Sequence, residues 1–291
     1  MTILCSGAAG YLGSHLMDCF NDVIGFDNLS NPFWLKQVEN LIVGDINDYQ
    51  IIDAIFRNND IDIVIHLAGV SNCFDSTKRP SKYFHTNVSG TLNILSACAR
   101  YKVPKFVYIS SLNVYGNQKK PVSEKDSKKP INTLGISQLM CELAINRYSM
   151  AYNIDYLILR VASVVGGIVG RKDTVSQAIK KDEIGLYGDK VVDYIHIKDV
   201  VKAIQMLIEK DKYNEIYNVS SGKETTESEM IDIIRQYKEL KVNQYDIRQG
   251  ESEYLVGDNS KLRGIGWKPT YSLKRIIEYS FKHYKSFKRA I

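Results

Sequence analysis

One segment near the start of the chain, the glycine-rich run at residues 7–13, restricts the fold more than any other feature. It reads GAAGYLG, and it lies between a short apolar run, Thr2–Ser6, and a stretch with helical spacing. Gly7 permits a tight turn, Gly10 lets the backbone approach a pyrophosphate, and Gly13 lets the helix pack closely on the strand. The free N–H groups that begin a helix also attract phosphate. The segment therefore predicts a strand–turn–helix unit that binds a dinucleotide.

The rest of the first half alternates buried strands with helices. Three near-continuous apolar runs are typical of strands buried on both faces: 61–68, 105–110 and 156–161. Between them, apolar residues recur at helical spacing over 88–98 and 136–148. This alternation predicts an α/β fold with a doubly wound parallel sheet of the Rossmann type.

After residue 165 the pattern changes, which predicts a smaller C-terminal substrate lobe. Further strands are expected at 191–195, 215–219 and 245–248, and further helices at 198–209, 227–239 and 272–287. Some of these strands are expected to return to the main sheet, so the predicted domains are discontinuous. The Rossmann domain takes residues 1–165 and about 191–219, and the substrate-binding lobe takes 166–190 and 220–291.

An acid at the end of the second predicted strand, Asp27, bears on the choice of dinucleotide. A carboxylate at this place accepts hydrogen bonds from the adenosine ribose hydroxyls and repels a 2′-phosphate. The sequence therefore predicts NAD rather than NADP. The alternative interpretation is a purely structural glycine turn that binds no cofactor.

Composition and charge argue against several other classes of protein. The chain has 291 residues and a net charge of +5, but its basic residues are spread out rather than clustered for nucleic acid. No apolar run approaches the roughly 18 residues that a membrane helix needs. The cysteines lack metal-ligand spacing and are expected to be free thiols in a reducing, cytoplasmic setting: Cys5, Cys19, Cys73, Cys98 and Cys141. We expect no metal, no nucleic acid and no membrane partner.

A series of short motifs, in order along nearly the whole chain, resembles the extended short-chain dehydrogenase/reductases. The closest resemblance is to nucleotide-sugar epimerases and dehydratases of the UDP-glucose 4-epimerase type. The motifs are GAAGYLGSH, FDNLS, GDI, HLAG, NVSGTLN, SSLNVYG, LR, DYIHIKDV and SKLRGIGWKP. Their number and order make the resemblance far more specific than the glycine loop alone.

The resemblance implies NAD as cofactor, an NDP-sugar as substrate and a homodimer. The dimer is expected to form through two amphipathic helices, at about 84–100 and 134–152, that pair with their symmetry mates. The implied cofactor-binding residues are Gly7, Gly10, Tyr11, Leu12, Gly13, Asp27, Asn28, Asp45, Ile46, Leu67, Ala68, Gly69 and Gln138.

The chain departs from this family at its catalytic residues. Family members use a Ser or Thr together with a Tyr and a Lys in the spacing YxxxK. Ser111 matches the hydroxyl residue, but Leu134 stands at the Tyr position and Gln138 at the Lys position. The Lys ammonium lowers the phenol pKa so that the phenolate accepts the sugar proton, which Leu134 cannot do. The acids that dehydratases place after the hydroxyl residue are also absent, since Leu112 and Asn113 stand there.

The substrate side is altered too. Ser163 replaces a family Asn near the substrate, and Val192 stands where a phosphate-binding Arg belongs. Arg248 still matches the family's second phosphate Arg. Arg171 and the neighbouring Lys172 are candidates for the missing charge, with solvated loop charges as the alternative.

Other residues are candidates to replace the lost base. Cys73 and Asp75 follow the HLAG turn, which borders the substrate in the family, and Tyr115 and His85 are further candidates. Each also has a structural interpretation: packing for Cys73, Tyr115 and His85, and a helix N-terminal carboxylate for Asp75. His66 and His196 are interpreted as framework histidines whose hydrogen bonds are satisfied.

Three functional hypotheses remain open from the sequence. The first is an NAD-dependent enzyme of the nucleotide-sugar family with relocated acid/base groups. The second is a non-catalytic NAD-binding scaffold or regulator, which the losses at positions 134, 138 and 192 favour. The third, a redox-sensing Rossmann protein, fits less well because the C-terminal lobe resembles a sugar-binding one.

Overall fold

The structure is a computed structural model that describes residues 1–31, 40–166 and 173–290. Within these residues, seven parallel strands form one sheet in the order β11-β6-β5-β4-β1-β2-β3. The strands are β1 (Ile3–Ser6), β2 (Val23–Asp27), β3 (Leu41–Val43), β4 (Ile63–His66), β5 (Lys105–Ser111), β6 (Asp155–Val161) and β11 (Glu215–Val219). The order starts at β1 and runs outward on both sides, which confirms the predicted doubly wound sheet.

Helices cover both faces of this sheet because the buried strands present apolar side chains on each side. The helices are α1 (Gly13–Leu16), α2 (Tyr49–Asn58), α3 (Cys73–Lys78), α4 (Pro80–Tyr83), α5 (Gly90–Tyr101), α6 (Thr133–Tyr152), α7 (Thr174–Lys180), α8 (Ile197–Glu209), α9 (Glu227–Arg235), α10 (Ser260–Gly264) and α11 (Leu273–Ala290). Side chains of α1 and α8 join the core on one face, and those of α2, α5 and α6 join the core on the other.

A third core lies in a smaller C-terminal lobe, where α7, α9 and α11 pack together. Short strands accompany it in three small sheets: β7 (Ser163–Val165), β8 (Glu183–Tyr187), β9 (Val191–Val192), β10 (Tyr194–His196), β12 (Thr225–Thr226), β13 (Lys241–Tyr245) and β14 (Tyr254–Leu255). Only β11 of the later strands joins the main sheet, beside β6. The division of the chain into the two discontinuous domains stays a prediction.

Some predicted elements are corrected. The strand expected at 245–248 is wrong, since the strand is Lys241–Tyr245 and pairs with β8. The strand expected at 191–195 is two strands, β9 and β10, in different small sheets. The helix expected at 84–100 contains a π-helical stretch, Phe84–Ser89, before α5. The stretch after the glycine-rich run, where helical spacing over residues 14–21 predicts a helix, is a single helical turn followed by a 3₁₀ turn, Met17–Cys19.

None of the helices in the described part of the chain combines the length and the apolar character needed to cross a membrane. All five cysteines are free thiols; Cys5, Cys98 and Cys141 are buried, and Cys19 and Cys73 are half-buried.

Candidate functional site

The glycine loop joins β1 to α1 at the carboxyl edge of the main sheet. Gly7 has a φ of +76°, and a Cβ there would lie 2.7 Å from the backbone nitrogen of Ala68. A Cβ at Gly13 would lie 2.2 Å from the Gly7 carbonyl oxygen. Only glycine fits these two positions, and the loop folds into a tight cradle in which the N–H groups of residues 7–10 are already donated to acceptors within the protein. Tyr11 and Leu12 lie half-buried within it, and the Tyr11 hydroxyl donates to the Gly166 carbonyl.

Asp27, at the end of β2, braces this cradle. Its Oδ2 accepts a hydrogen bond from Ala9 N at 3.0 Å, and its Oδ1 accepts one from Leu29 N at 2.8 Å. A carboxylate oxygen has two lone-pair sites, so each oxygen keeps one for a further donor. The carboxylate is therefore placed beside the glycine loop with accepting capacity left.

The next strand brings a second acid to the same edge. Asn28 Nδ2 donates to Asp45 Oδ2 at 2.8 Å, and Asn47 N donates to Asp45 Oδ1 at 2.8 Å. Burial alone would raise the pKa of Asp45, but these hydrogen bonds outweigh it and lower the pKa. Ile46 is buried, and its carbonyl accepts from Asn93 Nδ2 at 3.0 Å. Asp27, Asn28, Asp45 and Ile46 thus lie together at this edge of the sheet, and their role in binding a cofactor stays a prediction.

The turn after β4 forms the floor beside the loop. Leu67 N donates to Ser6 O, and Val70 N donates to Asn87 Oδ1, which holds Ala68 and Gly69 in place between them. His66 is fully buried, with its ring nitrogens 2.6 Å from Ser6 Oγ and 2.9 Å from Thr91 Oγ1. Burial lowers the pKa of His66 to about 4, so the ring is neutral. The geometry agrees with the interpretation of His66 as a framework residue.

A chain of polar side chains connects Ser111 to the start of α6. Ser111 Oγ accepts from Asn113 Nδ2 at 2.9 Å, and Asn113 Oδ1 lies 3.4 Å from Asn132 Nδ2. Asn132 caps α6 by accepting from Gly135 N at 2.8 Å. The predicted hydroxyl residue is therefore next to the helix that carries Leu134 and Gln138.

Cys73, at the start of α3, joins the same chain. Its Sγ accepts from Asn132 Nδ2 at 3.0 Å and lies 3.2 Å from the Gly250 carbonyl oxygen. Burial, and then the charge of Glu251, raise the pKa of the Cys73 thiol to about 12. At neutral pH this residue is consequently a thiol, which donates a proton and does not accept one.

Leu134 and Gln138 lie one helical turn apart near the start of α6, and both are buried. Gln138 Oε1 accepts a hydrogen bond from the Tyr108 hydroxyl at 2.6 Å. Tyr108 lies on β5, three residues before Ser111. Tyr108 was missed from the sequence, because its aromatic ring fits the apolar pattern of a buried strand.

Tyr115 serves the framework rather than the site. It is fully buried; its hydroxyl donates to Asn218 Oδ1 at 2.8 Å and accepts from Arg160 Nη1 at 2.8 Å. Burial raises the pKa of Tyr115 to about 12. Arg160 in turn forms a buried pair with Glu142 of α6, at 2.6 Å between Nη2 and Oε2. These contacts argue against Tyr115 as the substitute base.

Three other candidates form no hydrogen bond with Ser111, Asn113 or Asn132 in the described part of the chain. Asp75 accepts from Arg79 Nε at 2.8 Å in a partly exposed ion pair on α3–α4. His85 is exposed and lies close enough to Asp45 for its charge to help lower the pKa of Asp45. Ser163 is exposed on β7, and its backbone nitrogen donates to Asp193 O.

The described residues contain no group of three or more histidine, cysteine or acidic side chains that could hold a metal.

The cationic end of the site contains Arg248 and a lysine that sequence reasoning missed. The Arg248 guanidinium lies 3.5 Å from the ring centre of Tyr187 and 4.6 Å from that of Phe74. Its Nε is buried and has no hydrogen-bond partner among the described residues. Val192 is half-buried in β9, paired with β12 and β14. Arg171 and Lys172 fall outside the described residues.

The missed lysine is Lys190, held between two acids. Its Nζ lies 2.8 Å from Glu251 Oε2 and 3.3 Å from Glu227 Oε2, and all three side chains are largely buried. The charges of Lys190, Glu251 and Arg248 all act on Cys73, which places them around one site. Residues 190, 227 and 251 are far apart in sequence, so no local pattern announces this cluster.

His196 differs from its interpretation. Its Nδ1 accepts from Lys198 N at 3.2 Å and its ring stacks on Tyr271 at 4.0 Å. The prediction that its hydrogen bonds are satisfied is wrong for Nε2, which is buried without a partner in the described part of the chain. Burial, followed by the neighbouring charge of Lys198, lowers the pKa of His196 to about 4.

Comparison with known proteins gives a consistent assignment. Residues 3–220 match the family model described as the NAD dependent epimerase/dehydratase family. A UDP-glucose 4-epimerase of Halalkalibacterium halodurans is 30% identical, covering 98% of this chain and 96% of that protein. A putative UDP-glucose 4-epimerase of Methanocaldococcus jannaschii is 33% identical, covering 95% of this chain and 96% of that protein.

Solved structures agree. A UDP-glucose 4-epimerase from Bifidobacterium longum, in complex with NAD+ and UDP, has a TM-score of 0.92 and 25% identity over 100% of both chains. A Thermus thermophilus UDP-glucose 4-epimerase in complex with NAD has a TM-score of 0.91 and 24% identity, again over 100% of both chains. The resemblance stated from the sequence is confirmed.

Proposed function

The chain belongs to the NAD dependent epimerase/dehydratase family, and from that membership we propose that it binds NAD and acts on an NDP-sugar with non-standard acid/base residues. The observation that carries the proposal is the glycine cradle with the Asp27 carboxylate beside it. The N-terminal end of α1, which follows the cradle, suits a pyrophosphate, and the remaining lone pairs of Asp27 suit ribose hydroxyls.

Each part of the cofactor has residues that fit it. Gly7, Gly10, Tyr11, Leu12 and Gly13 bind the pyrophosphate; Asp27, Asn28, Asp45 and Ile46 bind the adenosine; Leu67, Ala68, Gly69 and Gln138 line the nicotinamide side. When bound, NAD supplies a hydride acceptor for a sugar carbon. The carboxylate of Asp27 repels a 2′-phosphate, so the site selects NAD over NADP.

Proton transfer is the part of the chemistry that differs from the family pattern. Leu134 has no ionisable group, and Gln138 is neutral at every pH. Ser111 binds the sugar hydroxyl, and Cys73, which is linked to Ser111 through Asn113 and Asn132, is the proposed acid/base: its thiol form donates a proton and only its thiolate form accepts one. Because the pKa of Cys73 is raised to about 12, the thiolate is scarce at neutral pH and the reaction is slow there.

The phosphate end of the substrate binds between the two lobes, at Arg248. The Arg248 guanidinium packs on the rings of Phe74 and Tyr187, and its buried Nε lacks a partner among the described residues; the positive charge of the guanidinium suits a phosphate. Lys190 does not replace the positive charge lost at Val192, because Glu227 and Glu251 pair with its ammonium. Ser163 stays a proposed substrate residue, and Arg171 lies outside the described residues.

A second candidate function is a non-catalytic NAD-bound scaffold. The specific observation in its favour is the pair Leu134 and Gln138, since the start of α6 presents no titrating group to a substrate. The cofactor site needs neither residue in ionised form, so NAD binding and loss of chemistry are compatible.

One experiment separates the two functions. The purified protein is denatured, and the released NAD, NADH and nucleotide-sugar are identified by mass spectrometry; turnover of the recovered sugar is then measured with Cys73→Ser and Asp75→Asn variants. Released NAD with turnover that vanishes only in Cys73→Ser supports the enzyme. Released NAD without turnover of that sugar supports the scaffold, and a protein that neither carries nor binds NAD contradicts both.

We further propose that the protein is a homodimer that pairs through α6. Four apolar side chains are exposed along one face of this helix, at 38% to 72% of their full accessibility: Ile136, Met140, Leu143 and Met150. The opposite face of α6 is already buried against the sheet. The exposed stripe is the kind of surface that a two-fold contact covers.

A further inference from the structure

The contact between Tyr108 and Gln138 joins the main sheet to the altered helix. The Tyr108 hydroxyl donates to Gln138 Oε1 at 2.6 Å, and the two residues are 3% and 8% exposed. A hydroxyl buried to this extent requires a partner. An ammonium at position 138 would offer this hydroxyl no acceptor. The contact therefore depends on an acceptor at residue 138, which the amide oxygen of Gln138 supplies.

The contact also fixes the orientation of the amide. Once Oε1 faces Tyr108, the two N–H donors of Nε2 face away from the strand. Nε2 has no hydrogen-bond partner in the described part of the chain, and it is not among the fully buried atoms that lack one. Nε2 is thus not completely enclosed by protein, although the Gln138 side chain as a whole is only 8% exposed; it lies one helical turn beyond Leu134.

Tyr108 is itself held rigidly. Its ring stacks on His66, 5.8 Å between ring centres, and His66 contacts Ser6 and Thr91 through its two nitrogens. Burial, and then the neighbouring Cys141, hold the pKa of Tyr108 well above its usual value. The phenol therefore stays protonated and remains a donor to Gln138.

We propose that Tyr108 is a positioning residue for the cofactor: it holds the Gln138 amide so that Nε2 donates to the nicotinamide side of bound NAD. The inference rests on the proposed NAD binding. At position 138 the neutral amide of Gln138 stands in place of the family's Lys ammonium. An amide donates from one end only, so it has to be held in the right orientation. Without Tyr108 the amide is free to turn by half a rotation and present its oxygen.

The test is a double-mutant cycle on NAD affinity, measured by calorimetry with the full chain. Tyr108→Phe removes one oxygen atom and is expected to weaken NAD binding roughly two- to tenfold, the worth of one hydrogen bond. In a Gln138→Leu background the same substitution is expected to cost no further affinity. Tyr101→Phe is the matched control, because its hydroxyl donates to Asp53, away from the site, at 2.7 Å.

Thermal unfolding of each variant shows whether it remains folded. A Tyr108→Phe protein that unfolds at a lower temperature but binds NAD as tightly as the unmodified chain overturns the proposal. Equal losses of affinity in both backgrounds also overturn it, because the hydroxyl then acts without Gln138. Absence of NAD binding by the unmodified chain overturns the proposed function as well, so the two failures are distinguishable.

Discussion

At the residue scale, Leu134 and Gln138 determine which proton transfers are available at the start of α6. Neither side chain titrates, and the nearest candidate, Cys73, is a thiol at neutral pH. Positions 134 and 138 are neighbours on one face of the helix. Two substitutions there would therefore restore a phenol and its ammonium partner.

We expect the double variant Leu134→Tyr with Gln138→Lys to let a bound UDP-hexose reduce NAD, detected by absorbance of the reduced nicotinamide. A positioned acid/base contributes about 10²- to 10⁴-fold in rate. Leu134→Phe with Gln138→Met is the control, since it fills similar space without a titrating group. Equal activity of the control and the double variant contradicts the placement of the base at position 134.

Asp27 gives the second residue-scale prediction. The unmodified protein is expected to bind NAD at least tenfold more tightly than NADP, because the carboxylate and a 2′-phosphate repel each other. Asp27→Asn is expected to narrow this ratio, and Asp60→Asn, an exposed acid elsewhere, is expected to leave it unchanged. Calorimetry with both dinucleotides checks this. Equal or tighter binding of NADP by the unmodified protein would contradict the assignment.

His66 gives a prediction about stability and pH. Its pKa is about 4 in the folded chain against an ordinary value of 6.5. As pH falls, His66 therefore takes up a proton in the unfolded chain before it does so in the folded chain. Folding stability is therefore lost as pH falls from about 6.5 towards 4, by about 2 kcal/mol between pH 7 and pH 5. Urea unfolding at the two pH values measures this. His66→Gln is expected to lose that part of the pH dependence, and a variant with unchanged pH dependence would show that the pKa of His66 is the same in the folded and unfolded chain.

At the scale of elements, one buried ion pair fastens α6 to the sheet. Glu142 Oε1 accepts from Arg160 Nε at 3.0 Å and from Ser110 Oγ at 2.6 Å, and both charged side chains are at most 5% exposed. Helix α6 meets β5 and β6 at this pair. The position of Leu134 and Gln138 over the site therefore depends on it.

We expect Arg160→Met to destabilise the fold by about 3–5 kcal/mol, because it leaves the Glu142 carboxylate buried and unpaired. The double variant Arg160→Met with Glu142→Leu is expected to recover much of that loss. Denaturant unfolding measures both. A single variant as stable as the parent would show that water or another donor replaces the guanidinium.

How far the sequence predicts each element follows from what its residues pack against. Strands β5 and β6 are buried on both faces, so their apolar runs identify them to within a residue or two. The sequence prediction misplaced strand β13. Lys241–Tyr245 mixes polar and apolar residues at the protein surface, so it has no continuous apolar run to identify it. The same contrast holds in the site. The glycine loop is a local pattern, whereas Cys73, Asn132 and Gly250 meet only through the fold.

At the scale of the whole molecule, α6 was expected to be amphipathic, but it carries apolar side chains on two opposite faces. Cys141 and Ile145 face the core, and Leu143 and Met150 are 65% and 72% exposed on the other side. An exposed stripe of this kind is stable in water when a second copy covers it.

We expect light scattering to give a dimer mass for the unmodified protein and a monomer mass for Leu143→Arg with Met150→Arg. Two arginines on each copy of a two-fold interface bring like charges together and remove apolar contact. Val43→Arg is the control. Val43 is 57% exposed on β3, the strand at the edge of the main sheet farthest from β6, and so lies away from α6. A monomer mass for the unmodified chain at every concentration would contradict the dimer.

The place of β11 in the sheet has a consequence for how the chain is made. It covers the edge of β6, yet β6 ends at residue 161 and β11 begins at residue 215. At a synthesis rate of about 5–20 residues per second, a ribosome needs roughly 3–11 s to supply the missing neighbour. During that interval the apolar edge of β6 is an open template for pairing with other chains. The nascent protein is thus most exposed to aggregation after its cofactor-binding half has been synthesised, and a chaperone that shields β6 during those seconds would improve its yield.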